Sequence, residues 1–339
     1  MKKVVYLRGK AIGDGHVTIQ SMTNTPTFDK EKTLAQIKAL ADAGADFVRI
    51  SIPDEKSANA VKYLCDKSPV PLIGDIHFDA RPALIAIENG ISKIRINPSN
   101  INAVDLERIV KKCIEYDVPI RVGVNKGSVK RRISPSELVD ITLDSAKLIE
   151  DLGWDKLVLA VKTSDPVETV EAYRLLSQKT DHPLHIGLTE SGTEKMGLIK
   201  SSVVIGSLLL DGIGDTIRVS LTGDPIKEVY AAKNIIRSVG LDKNYVQVIA
   251  CPTCARTEID VENLAKIVED MTKDITKPLK IAVMGCVVNG IGEGKEADFG
   301  VAGGKDKSVL FRHGEIYKTV QNELLKEELL LICKEYTNE

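Results

Sequence analysis

Cys251, Cys254 and Cys286 are the residues of this chain that are best suited to chemistry. The first two form a Cys-Pro-Thr-Cys motif, and Cys286 opens the segment Cys-Val-Val-Asn-Gly-Ile-Gly-Glu, which ends at Glu293. Three thiolates from two separated loops can bind three irons of a cubane iron–sulfur cluster, and a nearby carboxylate can hold the fourth more loosely. Such a cluster could bind a substrate oxygen as well as pass electrons.

The same thiols also allow other sites, because a Cys-x2-Cys pair fits structural zinc or a redox dithiol. Zinc with four cysteines would need Cys333, which follows the apolar residues 329–332 in a helical pattern and is expected to be buried. Cys65 and Cys113 lie in similar patterns. A thioredoxin-type site would not need Cys286, and no histidine follows a metal-ligand spacing. The residues favour an iron–sulfur cluster and leave zinc as the alternative.

Short β-rich runs alternate with helical patterns from the start of the chain to about residue 240. The runs cover residues 17–20, 47–51, 72–77, 93–97, 120–124, 156–161, 184–188 and 216–220. Further helices are predicted to open after Ser134, Asp165 and Asp224, because each is a capping residue followed directly by proline. Eight strand–helix units in succession favour a closed parallel barrel over an open sheet. We therefore predict an α/β fold with a (β/α)8, or TIM, barrel over residues 1–240.

A different pattern begins near residue 244 and predicts a smaller α+β domain over residues 241–339. Its predicted parts are strands at 246–250 and 280–284, a helix at 261–271, a glycine-rich loop at 290–304, a hairpin around 313–314 and a closing helix from about 318 to 336. Both cysteine segments directly follow predicted strands. This domain is therefore expected to carry the metal centre.

Charged residues interrupt strands that should be apolar if they were ordinary buried parallel strands. They are Arg49, Arg95, Arg121 and Arg218, and further polar residues at or just beyond strand ends are Gln20, Asp75, His77, Asn97, Asn125, Lys162, Glu190 and Ser220. The carboxyl ends of barrel strands form the mouth where chemistry occurs. Converging guanidinium groups suit a ligand with several phosphate oxygens.

Each of these residues also has a plainer interpretation. Any single arginine could face outward and pair with a carboxylate on a helix. Glu190 could be a proton donor or acceptor, or a counter-ion that only fixes neighbouring arginines. The plainer interpretation of the arginines weakens because every predicted strand contributes a polar group at the same level.

Several ordered motifs closely resemble the 4-hydroxy-3-methylbut-2-enyl diphosphate synthase family, bacterial enzymes of the methylerythritol phosphate route to isoprenoids. They are Gln-Ser-Met-Thr-Asn-Thr at 20–25, Asp-Ile-His-Phe-Asp at 75–79, Lys-Ile-Arg-Ile-Asn-Pro at 93–98, Arg-Val-Gly-Val-Asn at 121–125, Gly-Leu-Thr-Glu-Ser-Gly at 187–192, Cys-Pro-Thr-Cys at 251–254 and Gly-Cys-Val-Val-Asn-Gly at 285–290. The resemblance covers essentially the whole chain. Ile291 stands where the family usually has proline, and Ala255 where it usually has glycine.

The resemblance implies a barrel and a [4Fe-4S] domain that convert 2-C-methyl-D-erythritol 2,4-cyclodiphosphate to (E)-4-hydroxy-3-methylbut-2-enyl diphosphate by reductive ring opening and dehydroxylation. It implies that Cys251, Cys254, Cys286 and Glu293 hold the cluster, and that Glu190 supplies a proton. The implied substrate-binding residues are Arg49, Arg95, Arg121, Asn125, Lys162, Arg218, Ser220 and Asn289. Flavodoxin or ferredoxin would donate the electrons.

Two other functions are compatible with parts of this sequence. The main alternative is a non-catalytic barrel that binds a phosphorylated ligand and carries a zinc-stabilised interaction domain. A pterin-type transferase barrel is a further alternative, but it would leave the cysteine-bearing domain without a role.

Composition limits the partners and the compartment. The formal net charge of −2 gives no support for nucleic-acid binding. The apolar run 4–7 is too short for a signal peptide, and no later run has membrane-spanning length. Six cysteines without an export signal favour reduced thiols, so a cytoplasmic location without membrane contact is expected.

Chain geometry predicts the assembly. The helix after the eighth strand should run back from the mouth for about 20 Å at 1.5 Å per residue. Residues 239–244, which connect it to the second domain, span at most about 20 Å. Because this is too short to pass round the barrel, the second domain is expected to cap the mouth of another subunit, in a head-to-tail homodimer with shared active sites.

Overall fold

The computed structural model describes residues 2–76, 79–125, 133–273 and 275–338. The chain divides into two compact units, Met1–Leu241 and Asp242–Glu339. Within the described ranges, no helix combines the length and the apolar composition needed to cross a membrane.

The first unit begins with an antiparallel hairpin, β1 Val5–Leu7 and β2 Lys10–Ile12, and continues with alternating strands and helices. The strands are β3 Thr18–Met22, β4 Phe47–Ser51, β5 Leu72–Asp75, β6 Lys93–Ile96, β7 Ile120–Asn125, β8 Leu157–Lys162, β9 His185–Ile186 and β10 Thr216–Ile217. The helices are α1 Lys30–Asp42, α2 Glu55–Lys67, α3 Ala80–Glu88, α4 Ala103–Glu115, α5 Pro135–Asp151, α6 Pro166–Lys179, α7 Glu194–Leu210 and α8 Pro225–Ser238.

Strands β3 to β10 form one parallel sheet in the order β8-β7-β6-β5-β4-β3-β10-β9. A parallel bridge between Leu159 of β8 and Leu184, just before β9, joins the two ends of this order. The sheet therefore closes into the predicted (β/α)8 barrel. β9 and β10 have only two residues each, so Arg218 lies directly beyond β10.

Local sequence explains why the helices start where they do. Ser134 and Glu137 form a reciprocal capping box at α5, with Pro135 at the first helical position. Asp165 and Asp224 cap α6 and α8 through backbone N–H groups, again followed by proline. The three predicted caps are confirmed.

The N-terminal hairpin was not predicted, because strands of three residues leave almost no periodic signal. Its side chains Val5, Leu7 and Ile12 form a buried cluster with Phe47, Ile73 and Val158, which belong to β4, β5 and β8. Phe47 is the first residue of its strand. The hairpin therefore closes the amino-terminal end of the barrel with apolar side chains.

The second unit is built on a five-stranded sheet in the order β11-β12-β13-β14-β15, in which the first three strands are parallel and the last two antiparallel. Its elements are β11 Val246–Ala250, α9 Val261–Thr272, β12 Leu279–Met284, α10 Val287–Glu293, β13 Phe299–Ala302, β14 Lys307–Arg312, β15 Glu315–Gln321 and α11 Leu325–Asn338. The predicted smaller α+β domain and its hairpin around 313–314 are confirmed.

Two details predicted for this unit are wrong. The glycine-rich segment 290–304 contains the end of α10 and all of β13, because its glycines serve close packing: a Cβ on Gly290 would lie 2.7 Å from Met284 Cβ, and one on Gly294 2.6 Å from Phe311 Cζ. The closing helix starts at Leu325 rather than near 318, because residues 315–321 pair with β14 as a strand.

The hairpin cluster gives a test of the fold. We expect Leu7→Ala to lower the free energy of unfolding of the barrel by about 2–5 kcal/mol, because Leu7 is fully buried and its removal leaves a cavity. Urea unfolding followed by the fluorescence of Trp154, the one tryptophan of the chain, reports on this unit. The neighbouring Tyr6→Ala is the control, since Tyr6 is 63% exposed and should change stability by less than about 0.5 kcal/mol. Equal effects of the two changes would contradict the account of the hairpin.

Candidate active site

The apolar core of the first unit lies outside the barrel, between strands and helices. On β4, Val48 and Ile50 belong to this core, so Arg49 between them faces the barrel interior. Ile94 and Ile96 on β6 place Arg95 inside by the same alternation. Lys93 shares that face, as do Arg121 on β7, Lys162 on β8, His185 on β9 and Arg218 after β10. The interior is therefore lined with cations.

Two carboxylates are paired with three of these cations. Asp75 lies 3.9 Å from Arg49 and 3.4 Å from Arg95, and Glu228 on α8 lies 3.5 Å from Arg218. Arg218 thus pairs with a helix carboxylate, as in the plainer interpretation, but it faces the barrel interior rather than outward. Burial lowers the pKa of Arg49 to about 10, with Asp75 opposing the shift. Burial raises the pKa of Glu228, and the positive charge of Arg218 opposes this shift.

Arg121 and Lys93 are buried without an ion pair of this kind among the described residues, although Asp75 opposes part of the pKa shift of Arg121. Arg121 is 2% exposed, and its Nε and Nη1 have no hydrogen-bond acceptor among the described residues. Lys93 is completely buried, and its Nζ has no polar partner there and lies 5.6 Å from the centre of the Phe47 ring. Burial, followed by neighbouring arginines, lowers the pKa of both groups well below their ordinary values. Buried unpaired cations cost several kcal/mol each, and a polyanion would offset this cost.

Glycines make room for these side chains. A Cβ on Gly123 would lie 3.4 Å from Arg121 Nη2 and 3.4 Å from Arg95 Nε. Gly187 has a φ of +151°, and a Cβ there would lie 2.4 Å from the Arg218 carbonyl oxygen and 3.0 Å from Lys162 Nζ. Any larger residue at position 187 would collide with the backbone and with the lysine.

The other residues predicted for the barrel mouth are placed as follows. Glu190 is exposed and has a φ of +52°, and among the described residues no ion pair joins it to the cations. Ser220 is partly exposed, and its carbonyl oxygen accepts a hydrogen bond from the Ser191 hydroxyl. Asn125 ends β7 opposite Lys162, and its side chain lies outside the description, as does the whole of His77.

The cysteines of the second unit follow two adjacent parallel strands. Cys251 comes directly after β11, and its N–H donates to the Val283 carbonyl of β12 over 3.3 Å. Gly285, directly after β12, donates its N–H to Cys251 Sγ over 3.1 Å. The Cys254 N–H donates to Thr257 Oγ1 over 3.0 Å. Strand pairing therefore fixes the two segments that carry the thiols side by side.

Helix α10 carries the remaining predicted ligands. Cys286 is its N-cap residue, and Glu293 is its last residue. Asn289 and Glu293 are both exposed and lie three and seven positions after Cys286, so all three share one helix face. The Asn289 amide and the Glu293 carboxylate thus extend along the same side as the thiol.

Arg256 was missed in the sequence, where it looks like an ordinary surface arginine. Hydrogen bonds from its backbone and side chain lower the pKa of Cys254. The pKa of Arg256 itself is raised, first by Cys254 and then by Cys286 and Glu293. One guanidinium therefore faces three of the four predicted ligands. Its position two residues after a Cys-x2-Cys motif was the available signal.

The donor set fits an iron–sulfur cluster better than a zinc ion. Burial raises the pKa of Cys333 to about 11 and that of Cys65 to about 12, so both stay protonated, whereas Cys254 favours the thiolate that a metal needs. Cys333 packs in the core of the second unit, as expected. Within the part of the chain described, no three His, Cys, Asp or Glu side chains converge tightly enough to hold one ion.

A (β/α)8 barrel with a cationic interior, joined to an α+β domain that presents three cysteines, defines a class of two-domain barrel proteins. Two family models match the chain, the GcpE TIM-barrel domain over residues 2–233 and the GcpE protein C-terminal domain over residues 247–335. The chain therefore belongs to the GcpE family.

Named relatives are similar over almost the whole chain. A protein of Caldanaerobacter subterraneus subsp. tengcongensis named 4-hydroxy-3-methylbut-2-en-1-yl diphosphate synthase (flavodoxin) is 52% identical to this chain. The match covers 94% of this chain and 92% of that protein. The Thermotoga maritima protein of the same name is 47% identical, covering 100% and 98%. The resemblance seen in the motifs is confirmed.

Solved structures share the barrel only. Dihydropteroate synthase from Stenotrophomonas maltophilia has a TM-score of 0.56 at 15% identity, covering 70% of this chain and 98% of that one. The Yersinia pestis enzyme has a TM-score of 0.54 at 16% identity, covering 70% and 99%. At such identities the likeness shows the fold alone.

The contact between Arg256 and Cys254 predicts thiol reactivity in metal-free protein. Because the pKa of Cys254 is lowered, more thiolate is present at pH 7, and we expect iodoacetamide to modify it faster than Cys65 or Cys333. Arg256→Gln should slow this reaction by about three- to tenfold at pH 7 and have little effect at pH 10, where the thiol is ionised in both proteins. Mass spectrometry of the modified peptides measures the rates. Arg312→Gln is the matched control, and an equal effect of both changes would contradict the assignment.

Proposed function

We propose that this protein catalyses the reductive ring opening and dehydroxylation of 2-C-methyl-D-erythritol 2,4-cyclodiphosphate to (E)-4-hydroxy-3-methylbut-2-enyl diphosphate. The observation that carries the proposal is the barrel interior, where Arg121 and Lys93 are buried among further cations without a carboxylate partner among the described residues. A ligand with two linked phosphates supplies the missing negative charge. The names of the relatives support the same reaction.

The barrel residues bind the diphosphate and compensate its changing charge. The proposed set is Arg49, Arg95, Arg121, Asn125, Lys162, Arg218 and Ser220, with Asn289 of the second unit. Guanidinium groups bind phosphate oxygens in pairs, and Asp75 and Glu228 already fix three of them. Donors fixed before the reaction stabilise the negative charge that develops as the ring opens, with little reorganisation.

The second unit holds the redox group in this proposal. A [4Fe-4S] cluster bound by Cys251, Cys254, Cys286 and Glu293 would supply the electrons and a Lewis-acidic iron. Arg256 faces three of these residues and keeps their negative charges together. Flavodoxin is the proposed electron donor, supported by the relatives' names. All six cysteines are free, which supports a reducing compartment such as the cytoplasm.

Glu190 is the proposed proton donor to the departing hydroxyl. Its left-handed backbone, with a φ of +52°, is uncommon for a residue other than glycine and is typical of functional sites. The segment that holds it is fixed by Ser191, whose hydroxyl donates to the Ser220 carbonyl. Its exposure leaves it free to meet a ligand at the mouth.

We further propose that each active site is shared between two subunits. Helix α8 has 14 residues and runs about 21 Å back from the carboxyl end of the barrel. Seven residues, 239–245, separate its end from β11. A link this short supports pairing the barrel of one subunit with the second unit of another.

Two variants separate anion binding from the redox group. Arg121→Met should lower kcat/KM by about 100-fold or more and abolish pyrophosphate binding, with iron and sulfide content unchanged, because it removes a buried charge that faces the ligand. Cys286→Ala should lose iron, sulfide and turnover and keep pyrophosphate binding. The measurements are an anaerobic assay with cyclodiphosphate and reductant, metal analysis and calorimetry. Cys65→Ala, which changes a cysteine outside both sites, should keep all three properties. A wild-type protein with full cluster content and no product would refute the proposed function.

Mixing inactive variants tests the shared site. Glu190→Gln and Cys286→Ala are each expected to be inactive alone. In a 1:1 mixture after subunit exchange, about half of the dimers would be mixed, and each would contain one intact site. The activity should therefore return to about a quarter of the wild-type value. A mixture that stays inactive despite exchange, shown by mass spectrometry of tagged subunits, would argue against sharing.

A further inference from the structure

Lys162 and His185 form a buried pair inside the barrel that the residues assigned above do not explain. Lys162 Nζ lies 3.4 Å from His185 Nε2, and both side chains are buried, His185 completely. His185 Nδ1 has no hydrogen-bond partner among the described residues. Lys162 is the last residue of β8, and its amine passes close to Gly187 to contact the imidazole. A Cβ at position 187 would lie 3.0 Å from Nζ, so glycine leaves room for the lysine side chain.

The charged side chains that act most strongly on this pair are cations, while Asp75 and Glu228 in the same interior pair with Arg49, Arg95 and Arg218 instead. Arg121 from β7, Lys93 from β6 and Arg49 from β4 face His185, while Arg218 after β10 and Arg95 from β6 also face Lys162. On the helix side, the Tyr173 hydroxyl of α6 donates to the His185 carbonyl over 2.5 Å and brings no negative charge. Burial first, and then these cations, lower the pKa of both Lys162 and His185 well below their ordinary values.

A positive charge on both the lysine and the histidine is strongly disfavoured at this distance in a buried, positively charged cavity, because no ion pair joins either of them to a carboxylate within the described residues. One can share a proton with the other: the neutral group accepts a hydrogen bond from the protonated one. An anion bound among the arginines reverses the local potential and favours full protonation of the pair.

We propose that Lys162 and His185 act as one proton-binding unit, which takes up a proton from solvent when a diphosphate group binds in the barrel. The inference rests on the proposed function for its choice of ligand. His185 is a positioning residue in this scheme: it holds the Lys162 amine inside the barrel until the anion arrives. The proton comes from solvent and remains on Lys162 and His185, and the ligand undergoes no chemical change in this step.

The sign of the pH dependence follows from linkage. Because the complex binds one more proton than the free protein, affinity for the diphosphate falls as pH rises, by about tenfold per pH unit in the range where the free pair lacks the proton and the bound pair keeps it. A site that uses only permanently charged arginines would show no such slope of its own.

Titration calorimetry with inorganic pyrophosphate tests the proposal on the whole protein. Binding enthalpies measured at pH 7.5 in buffers of different ionisation enthalpy give the number of protons taken up, after subtraction of those that pyrophosphate itself exchanges. We expect an uptake of about one proton for the wild type. An uptake of zero with intact binding would overturn this proposal and leave the proposed function standing, whereas absence of binding would overturn both.

Two histidine variants locate the proton. His185→Gln keeps an acceptor for the Lys162 amine but cannot titrate, so the pair has no second site for a proton and the uptake should fall to near zero. His182→Gln is the matched control, since His182 is also buried, only three residues away, and pairs with Glu150 over 2.9 Å instead. It should keep the wild-type uptake. Unchanged uptake in His185→Gln would place the proton elsewhere and refute the pair, and the wild-type measurement decides the matter if that variant does not fold.

Discussion

Cations buried together in one barrel repel one another, and this repulsion limits how the fold can pack and which ligand it can admit. Arg49, Lys93, Arg95, Arg121, Lys162 and Arg218 share an interior in which the ion pairs described involve Asp75 and Glu228. The fold tolerates this because its large apolar core lies outside the barrel, between strands and helices, and a second cluster closes the amino-terminal end. Burial of these apolar side chains stabilises the fold, while the barrel interior remains available for a polyanion.

In the second unit the repulsion is between negative charges, because the predicted cysteine and glutamate ligands are anionic when they bind metal. Adjacent parallel strands place Cys251 and Cys286 on neighbouring segments, and Arg256 offsets the charges of Cys254, Cys286 and Glu293. The cysteines with raised pKa values lie in helices and pack as apolar residues. The distinction between reactive and structural thiols is therefore one of surroundings rather than of residue type.

The solved structures resemble this chain in fold only, whereas the named relatives resemble it in sequence over almost its whole length. Dihydropteroate synthases share the barrel at about one residue in six identical, which carries no information on chemistry. Relatives near 50% identity extend over both units, the barrel with its arginines and the second unit with its cysteines. The function proposed here rests on that second likeness and on the charged interior.

Local periodicity and residue chemistry were enough to predict the order of most strands and helices, the caps at Ser134, Asp165 and Asp224, the barrel class and the residues worth testing. The sequence could not locate the N-terminal hairpin, α10 or β15, whose short or glycine-rich segments are decided by packing and pairing with distant strands. Nor could it reveal that Lys162 meets His185 or that Arg256 faces Glu293. Such contacts depend on which side chains share an enclosed volume, and only the tertiary structure sets the burial and the neighbouring charges that give them their chemistry.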